Sequence, residues 1–273
     1  VQALRENESL TENAIKKLKP KKSSGLDGIS QSLLKSLTPV ITLPLKTIIN
    51  ASITTGIFPA GWKSSKTIPV HKKGDKGDVG NYRPISCVPT ASKILESVVL
   101  EQLSAYFETH SLLPKQQHGF RKGRSTTTAL ASMIAEWSQS YDANMNTGIL
   151  LWDLSSAFDT IDIDLFCEKL VLFGVAHNSV SWFRSFLTNR KQIVEVGKGR
   201  SKPIYVSTGC PQGSLLSPLI FLIYIADMEL WVNHASVRGY ADDTATSVCA
   251  QTEEEVISML EADATRILKY MNE

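Results

Sequence analysis

The sequence has little cysteine: four residues in 273, at positions 87, 167, 210 and 249, with no CxxC pair. Such spacing excludes a zinc ribbon and a small disulfide scaffold. Histidine is scarce as well, with five residues and no i, i+4 pair, so no histidine-based metal motif can be drawn. Long apolar runs are missing. The most apolar stretch, Leu215–Ala226, carries Pro218 and falls short of the ~20 residues a membrane span needs, so it reads as a buried helix and no membrane is expected. Internal repeats and low-complexity segments are absent. No Met opens the chain and no signal peptide follows. The expectation is a fragment of a longer polyprotein, intracellular in the nucleus and/or cytoplasm, and not secreted.

What is present fits a core-forming chain. Hydrophobic residues make up 42% and charged residues 21%, which excludes extended disorder. The formal net charge of +2 conceals an asymmetry. Residues 1–125 hold 19 Lys/Arg against 9 Asp/Glu, whereas residues 126–273 hold 10 against 18. A basic first half beside an acidic second half suits a polyanion-binding module next to a carboxylate site for cations, although two solvated surfaces would give the same count.

Periodicity predicts helices over 1–18, 30–56, 91–110, 126–142, 160–172, 178–189, 214–232 and 252–272. Residues 66–71 and 147–153 have strand composition, the latter read as a buried strand. Residues 192–197 and 203–208 alternate like a hairpin, and 236–250 reads as strand, tight turn, strand. The segments 72–83 and 114–125 are basic and glycine-bearing, and read as turn and loop.

The most informative stretch is Tyr240-Ala241-Asp242-Asp243 at the tip of the last hairpin. Adjacent acids repel and fit strands poorly, so the pair is either two solvated turn acids or a cation site. Asp153 weighs toward the cation site, because it closes the apolar run Gly148-Ile149-Leu150-Leu151-Trp152. Three carboxylates at strand ends could hold two Mg²⁺ roughly 3.5–4 Å apart, the arrangement of two-metal phosphoryl transfer. Mn²⁺ is an expected substitute. Asp159, Asp162 and Asp164 follow closely and read as helix-cap and surface residues.

Six segments carry a resemblance. Trp152-Asp153-Leu154-Ser155-Ser156-Ala157-Phe158-Asp159-Thr160-Ile161-Asp162 resembles palm motif A of reverse transcriptases from non-LTR (LINE-type, jockey-like) retrotransposons. Gly209-Cys210-Pro211-Gln212-Gly213-Ser214-Leu215-Leu216-Ser217-Pro218-Leu219 is similar to their motif B, and Tyr240–Asp243 to motif C. Asn81-Tyr82-Arg83-Pro84-Ile85-Ser86 and Gln117-His118-Gly119-Phe120-Arg121 resemble their fingers motifs, and Ser24-Gly25-Leu26-Asp27-Gly28 the segment before them. Trp152, Ser156, Ile163, Cys210 and Ser217 depart from the family pattern, and none of these changes removes a catalytic group.

The resemblance implies an α+β right-hand polymerase, with helical fingers over 1–145, a palm with an antiparallel sheet over 146–273, and no thumb. It implies RNA-directed DNA polymerisation, with an RNA template, a DNA primer and dNTP as partners. Asp153, Asp242 and Asp243 match the catalytic metal ligands, helped by the carbonyl of Leu154. Phe158 matches the steric gate against a ribose 2′-hydroxyl. Gln212 matches a nucleotide contact, and Gly213 allows close backbone approach. Arg83 and one of Lys72 or Lys73 match the triphosphate-binding cations, while Arg121, Lys122 and Arg124 fit template-backbone contacts. The alternative is a catalytically inactive or co-opted nucleic-acid-binding fragment of such an enzyme.

Overall fold

A computed structural model describes residues 3–5, 8–154 and 156–272. Residues 1, 2, 6 and 7 of the expected first helix, Ser155 of the segment 152–162, and residue 273 lie outside the described residues. The chain opens with α1 (Glu8–Lys16), α2 (Gln31–Ser36), α3 (Thr38–Thr55), β1 (Ser64–His71), β2 (Tyr82–Cys87) and α4 (Thr90–Thr109). It continues through α5 (Thr126–Asp142), β3 (Asn146–Asp153), α6 (Ile163–Leu172), α7 (His177–Leu187), β4 (Arg190–Val196), β5 (Gly199–Arg200) and β6 (Ile204–Val206). It ends with α8 (Ser217–Tyr224), β7 (Ser236–Tyr240), β8 (Asp243–Ala250) and α9 (Glu253–Asn272). The expected mixture of helix and sheet is present. Among the described residues no helix is long and apolar enough to cross a membrane.

Two compact units share the chain: Val1–Tyr106 with Phe158–Ile220, and Phe107–Ala157 with Phe221–Glu273. They interleave along the sequence. In the first unit, helices gather around aromatic side chains. Trp182 stacks on Phe186 with ring centroids 5.6 Å apart, meets Phe58 edge-on at 5.5 Å, and donates its indole N–H to Ser52 at 3.0 Å. That last bond satisfies the single polar atom of a fully buried ring. The strands of this unit run in the order β2-β1-β4-β5, with β6 also on β4. β1 pairs antiparallel with β2 but parallel with β4, so this sheet is mixed.

Three local expectations change here. The helix expected over 30–56 breaks at Leu37, which ends α2 and starts α3. Pro39 lies in the first turn of α3, where its missing N–H costs no intrahelical bond, whereas Pro44 is accommodated inside the same helix. Residues 82–83, read as turn, begin β2. Pro84 is tolerated there because β2 is an edge strand. The helix expected over 214–232 stops at Tyr224 and resumes as a 3₁₀ turn, Met228–Trp231.

The second unit is built on the antiparallel sheet β3-β8-β7. α9 covers one face. Gly148 lies directly beneath Val256 and Leu260, where a β-carbon would have no room. Asp263 of α9, 1% exposed, accepts the backbone N–H groups of Asn233, His234 and Ala235 at 2.9, 2.8 and 2.7 Å. These bonds hold the chain that leads into β7. Burial opposes ionisation of Asp263, but the three donors outweigh it and its pKa is lowered.

A depressed native pKa means that the stability from Asp263 is present above the ordinary aspartate range and is lost as pH falls through the native value. Asp263→Asn puts an NH₂ where only donors converge. It is expected to cost roughly 2–4 kcal/mol near neutral pH in chemical denaturation. The gap to wild type should narrow on acidification, and a pH-independent gap would contradict this account.

Candidate active site

The second unit presents the acids. β7 and β8 form a hairpin in which Tyr240 pairs with Asp243, leaving Ala241 and Asp242 as a two-residue turn. Ala241 has φ of 60°, the left-handed conformation that such tight turns demand. β3 runs antiparallel to β8 with Asp153 opposite Asp243. Directly opposed residues project from the same face with Cβ atoms about 4.5–5.5 Å apart. Two like charges meet across the ladder, with the third acid one residue away in the turn. Asp153 and Asp243 are exposed and Asp242 is half-buried.

Among the described residues no group of three His, Cys, Asp or Glu side chains is gathered closely enough to hold a metal ion. Backbone register thus brings the three acids to one strand end, while their side chains do not form a closed ligand set. The donor type still fits a hard divalent cation, since carboxylate oxygens suit Mg²⁺ and Mn²⁺. The carbonyl of Leu154 accepts the N–H of Ala157 at 3.3 Å, which leaves a second lone pair.

The face that carries the acids corrects the expectation of a buried β3. Ile149 is 39% and Leu151 80% exposed. α5 covers the other end of this face, where Ser140 meets Cys249 at 2.9 Å and Glu136 meets Ser247 at 2.9 Å and ion-pairs with Arg238. Near the acids an apolar cavity of about 270 Å³ remains, lined by Met133, Leu151, Trp152, Tyr240, Asp243 and Ala245 among others.

The first unit carries the expected nucleotide-side residues. Arg83 is exposed on β2 opposite Val70, and Lys72 and Lys73 are exposed just beyond β1. The loop that bears these lysines is braced from within. Lys72 N–H donates to Asn81 O at 2.8 Å, Asn81 Nδ2 to Asp75 O at 2.9 Å, and Tyr82 Oη to Lys76 O at 2.8 Å. Phe158 is half-buried, and its carbonyl accepts the N–H of Cys210 at 2.7 Å.

The segment Pro211–Leu215 is fixed from two sides. Ser86 N–H donates to Gln212 O at 2.6 Å, and a β-carbon on Gly213 would collide with Ser86 O. With φ of 123° as well, position 213 accepts glycine alone. From the other side Glu96, 0% exposed, accepts Ser92 Oγ and Ser214 Oγ at 2.6 Å each and Leu215 N–H at 2.8 Å. Gln212 Nε2 donates to Asp159 Oδ2 at 2.7 Å, beside a cavity of about 270 Å³ whose lining includes Ser86, Asp159, Arg190, Lys191 and Gln212. Arg190 is buried and donates to the carbonyls of Leu187, Thr208 and Gly209 at 2.8, 2.5 and 2.7 Å.

Two readings need correction. Asp159 is not a cap: it partners Gln212, and burial raises its pKa against that bond. Asp162 does cap α6, accepting Leu165 N–H at 2.9 Å, and Asp164 pairs with Arg184 at the surface. Arg121 is not displayed for a template. Its side chain is 8% exposed and grips Glu108 through Nε at 2.9 Å and NH2 at 2.6 Å, with NH1 on Pro114 O at 2.7 Å. Arg124 is half-buried on Lys115 O, and Lys122 is exposed. Glu96 and Arg190 brace backbone segments and were not singled out by the sequence. For Glu96 a signal existed, a lone acid inside Ile94-Leu95-Glu96-Ser97-Val98-Val99.

An antiparallel hairpin with two acids at its tip, opposed by a third on the neighbouring strand, gathers carboxylate donors of the type a hard divalent cation takes. The chain belongs to the reverse transcriptase (RNA-dependent DNA polymerase) family, whose profile matches residues 70–273. It is similar to the probable RNA-directed DNA polymerase from transposon BS of Drosophila melanogaster, 32% identical over 85% of this chain and 26% of that protein. It is also similar to the RNA-directed DNA polymerase from mobile element jockey of the same species, 30% identical over 85% of this chain and 26% of that protein. The Pol polyprotein of the R2 element of Popillia japonica is 24% identical over 76% of this chain and 28% of that protein. The resemblance to non-LTR retrotransposon enzymes is borne out. The chain spans about a quarter of the length of the curated relatives it matches.

Burial raises the pKa of Glu96 against the hydrogen bonds that favour its charge. A raised native pKa means that stability is fully present below the ordinary glutamate range and is lost as pH rises through the native value. Wild type is therefore expected to lose thermal stability from acidic to neutral pH more steeply than Glu96→Gln. Parallel melting-temperature profiles would refute this.

Proposed function

We propose that this chain is the catalytic portion of an RNA-directed DNA polymerase of a non-LTR retrotransposon, transferring a nucleotide from dNTP to a primer 3′-hydroxyl on an RNA template. One observation carries the reading: in a member of the reverse transcriptase family, Asp153 lies opposite Asp243 across a strand pair whose turn holds Asp242. Asp153, Asp242, Asp243 and the Leu154 carbonyl would hold two Mg²⁺, or Mn²⁺ in their place. When bound, such ions lower the pKa of an attacking hydroxyl and neutralise phosphate charge.

The remaining residues orient the nucleotide. Arg83 offers a bidentate guanidinium to phosphate oxygens, and Lys72 or Lys73 a mobile point charge. Phe158 supplies a rigid ring against a 2′-hydroxyl. Gln212, steadied by Asp159, presents its carboxamide beside the Gly213 backbone. Lys122, exposed and basic, suits template phosphate, a salt-sensitive contact. In this reading the basic first half is fingers and the acid-bearing half palm, and the protein works inside the cell, in nucleus or cytoplasm, where RNA and dNTP meet.

Single-nucleotide incorporation on a primed RNA template with Mg²⁺ tests the proposal. Asp242→Asn should reduce the rate by about a hundredfold or more. Phe158→Val should raise ribonucleotide use relative to dNTP by about tenfold or more. Template binding with no incorporation above the Asp242→Asn background would instead support an inactive, co-opted binding fragment.

A further inference from the structure

The turn between β7 and β8 carries Asp242 and leads into Asp243. Ala241 holds a positive φ without being glycine, a conformation that persists only where its surroundings impose it. A side chain that grips this residue lies 124 positions earlier. Gln117 is 4% exposed, and its Oε1 accepts the N–H of Ala241 at 3.2 Å and that of Gly119 at 2.8 Å, while its Nε2 donates to Ala241 O at 3.4 Å. One carboxamide therefore addresses both backbone polar atoms of the strained residue.

The backbone around Gln117 is docked as well. It forms a parallel bridge with Gly239, in which His118 N–H donates to Gly239 O at 2.7 Å and Gly239 N–H to Gln116 O at 3.1 Å. Side-chain volume is removed where the two segments meet. A β-carbon on Gly119 would overlap the Ala241 amide nitrogen, and one on Gly239 would overlap Gln117 Nε2. The segment 116–119 thus meets the free edge of β7 through one isolated bridge, and the Gln117 side chain reaches the turn.

We propose that Gln117 is a positioning residue for nucleotidyl transfer: it sets the conformation of Ala241 and so the placement of Asp242 and Asp243. This rests on the polymerase reading for its catalytic consequence, but not for its structural one. A general packing role would affect the whole unit, whereas a clamp affects the turn selectively and in proportion to the accepting oxygen.

The test uses the full chain. In Gln117→Met, which keeps length and apolar bulk but loses the carboxamide, hydrogen exchange at the Ala241 amide should quicken about tenfold. Exchange in α9 and in β3 should be unchanged. Gln117→Glu retains the accepting oxygen and should keep Ala241 protected to within a few-fold of wild type, which preserves the test if the Met variant fails to fold. Equal exchange at Ala241 in wild type and Gln117→Met, or equal loss of protection in the Glu and Met variants, would overturn the proposal. In single-nucleotide incorporation, Gln117→Met should lower kcat by about tenfold or more with dNTP KM nearly unchanged, and a change confined to KM would count against it. Absence of incorporation by wild type as well would defeat the polymerase reading, leaving the exchange result to decide the role of Gln117.

Discussion

The pairing of β3 with β8 is the constraint on which the second unit depends. Side chains alternate along a strand with a period of two, so a one-residue slip would send Asp153 to the face opposite Asp243. Several contacts forbid that slip. Gly148 alone leaves room for Val256 and Leu260 of α9, the Trp152 indole donates to Thr246 Oγ1 at 3.0 Å, and Cys249 meets both Ser140 and Thr147. The Trp152–Thr246 and Thr147–Cys249 contacts join the two strands directly and would be lost by a shift of one. Trp152, immediately ahead of Asp153, serves the register through that indole contact.

The opposed acids would be a net cost without that enforcement. Like charges directly across a ladder destabilise it, and neither Asp153 nor Asp243 is buried among compensating donors. The sheet tolerates them because the rest of the register is fixed by apolar packing and by buried polar contacts such as Arg238 with Glu136 and Ser247. Stability is held in one part of the sheet and electrostatic tension in another. Local repulsion of this kind favours whatever positive charge the site receives.

Much of this was legible in the residues. Strong helical periodicity marked α4, α5 and α9, and the sequence 236–250 announced a strand, a tight turn and a strand with the acids at its tip. What stayed hidden depended on distant partners. The start of β2, Tyr82 and Arg83, looked like turn because it follows a charged, glycine-bearing run, and Pro84 is acceptable in the strand because β2 lies at a sheet edge. The parallel pairing of β1 with β4 joins residues about as far apart as Ser64 and Lys191, which no local pattern encodes. β3 looked buried because Leu150, Leu151 and Trp152 are apolar, yet Leu151 faces out where the acids do. Arg121 looked like a template contact because its neighbours are basic, while Glu108, on the preceding helix, had already claimed it.

The positioning residues that escaped the sequence reading share one property. Glu96, Gln117, Arg190 and Asp263 each address backbone atoms of a segment far away in the chain. Backbone groups are the same in every residue, so the partner leaves no mark in the sequence, and the signature reduces to one polar residue in an otherwise apolar or well-packed neighbourhood. The physical reason for the arrangement is the same as the reason for its invisibility. A loop that must present its side chains to something else cannot use them to hold itself in place. Its N–H and C=O groups are the remaining handles, and a buried carboxylate, carboxamide or guanidinium elsewhere in the unit is the group that can grip several of them at once.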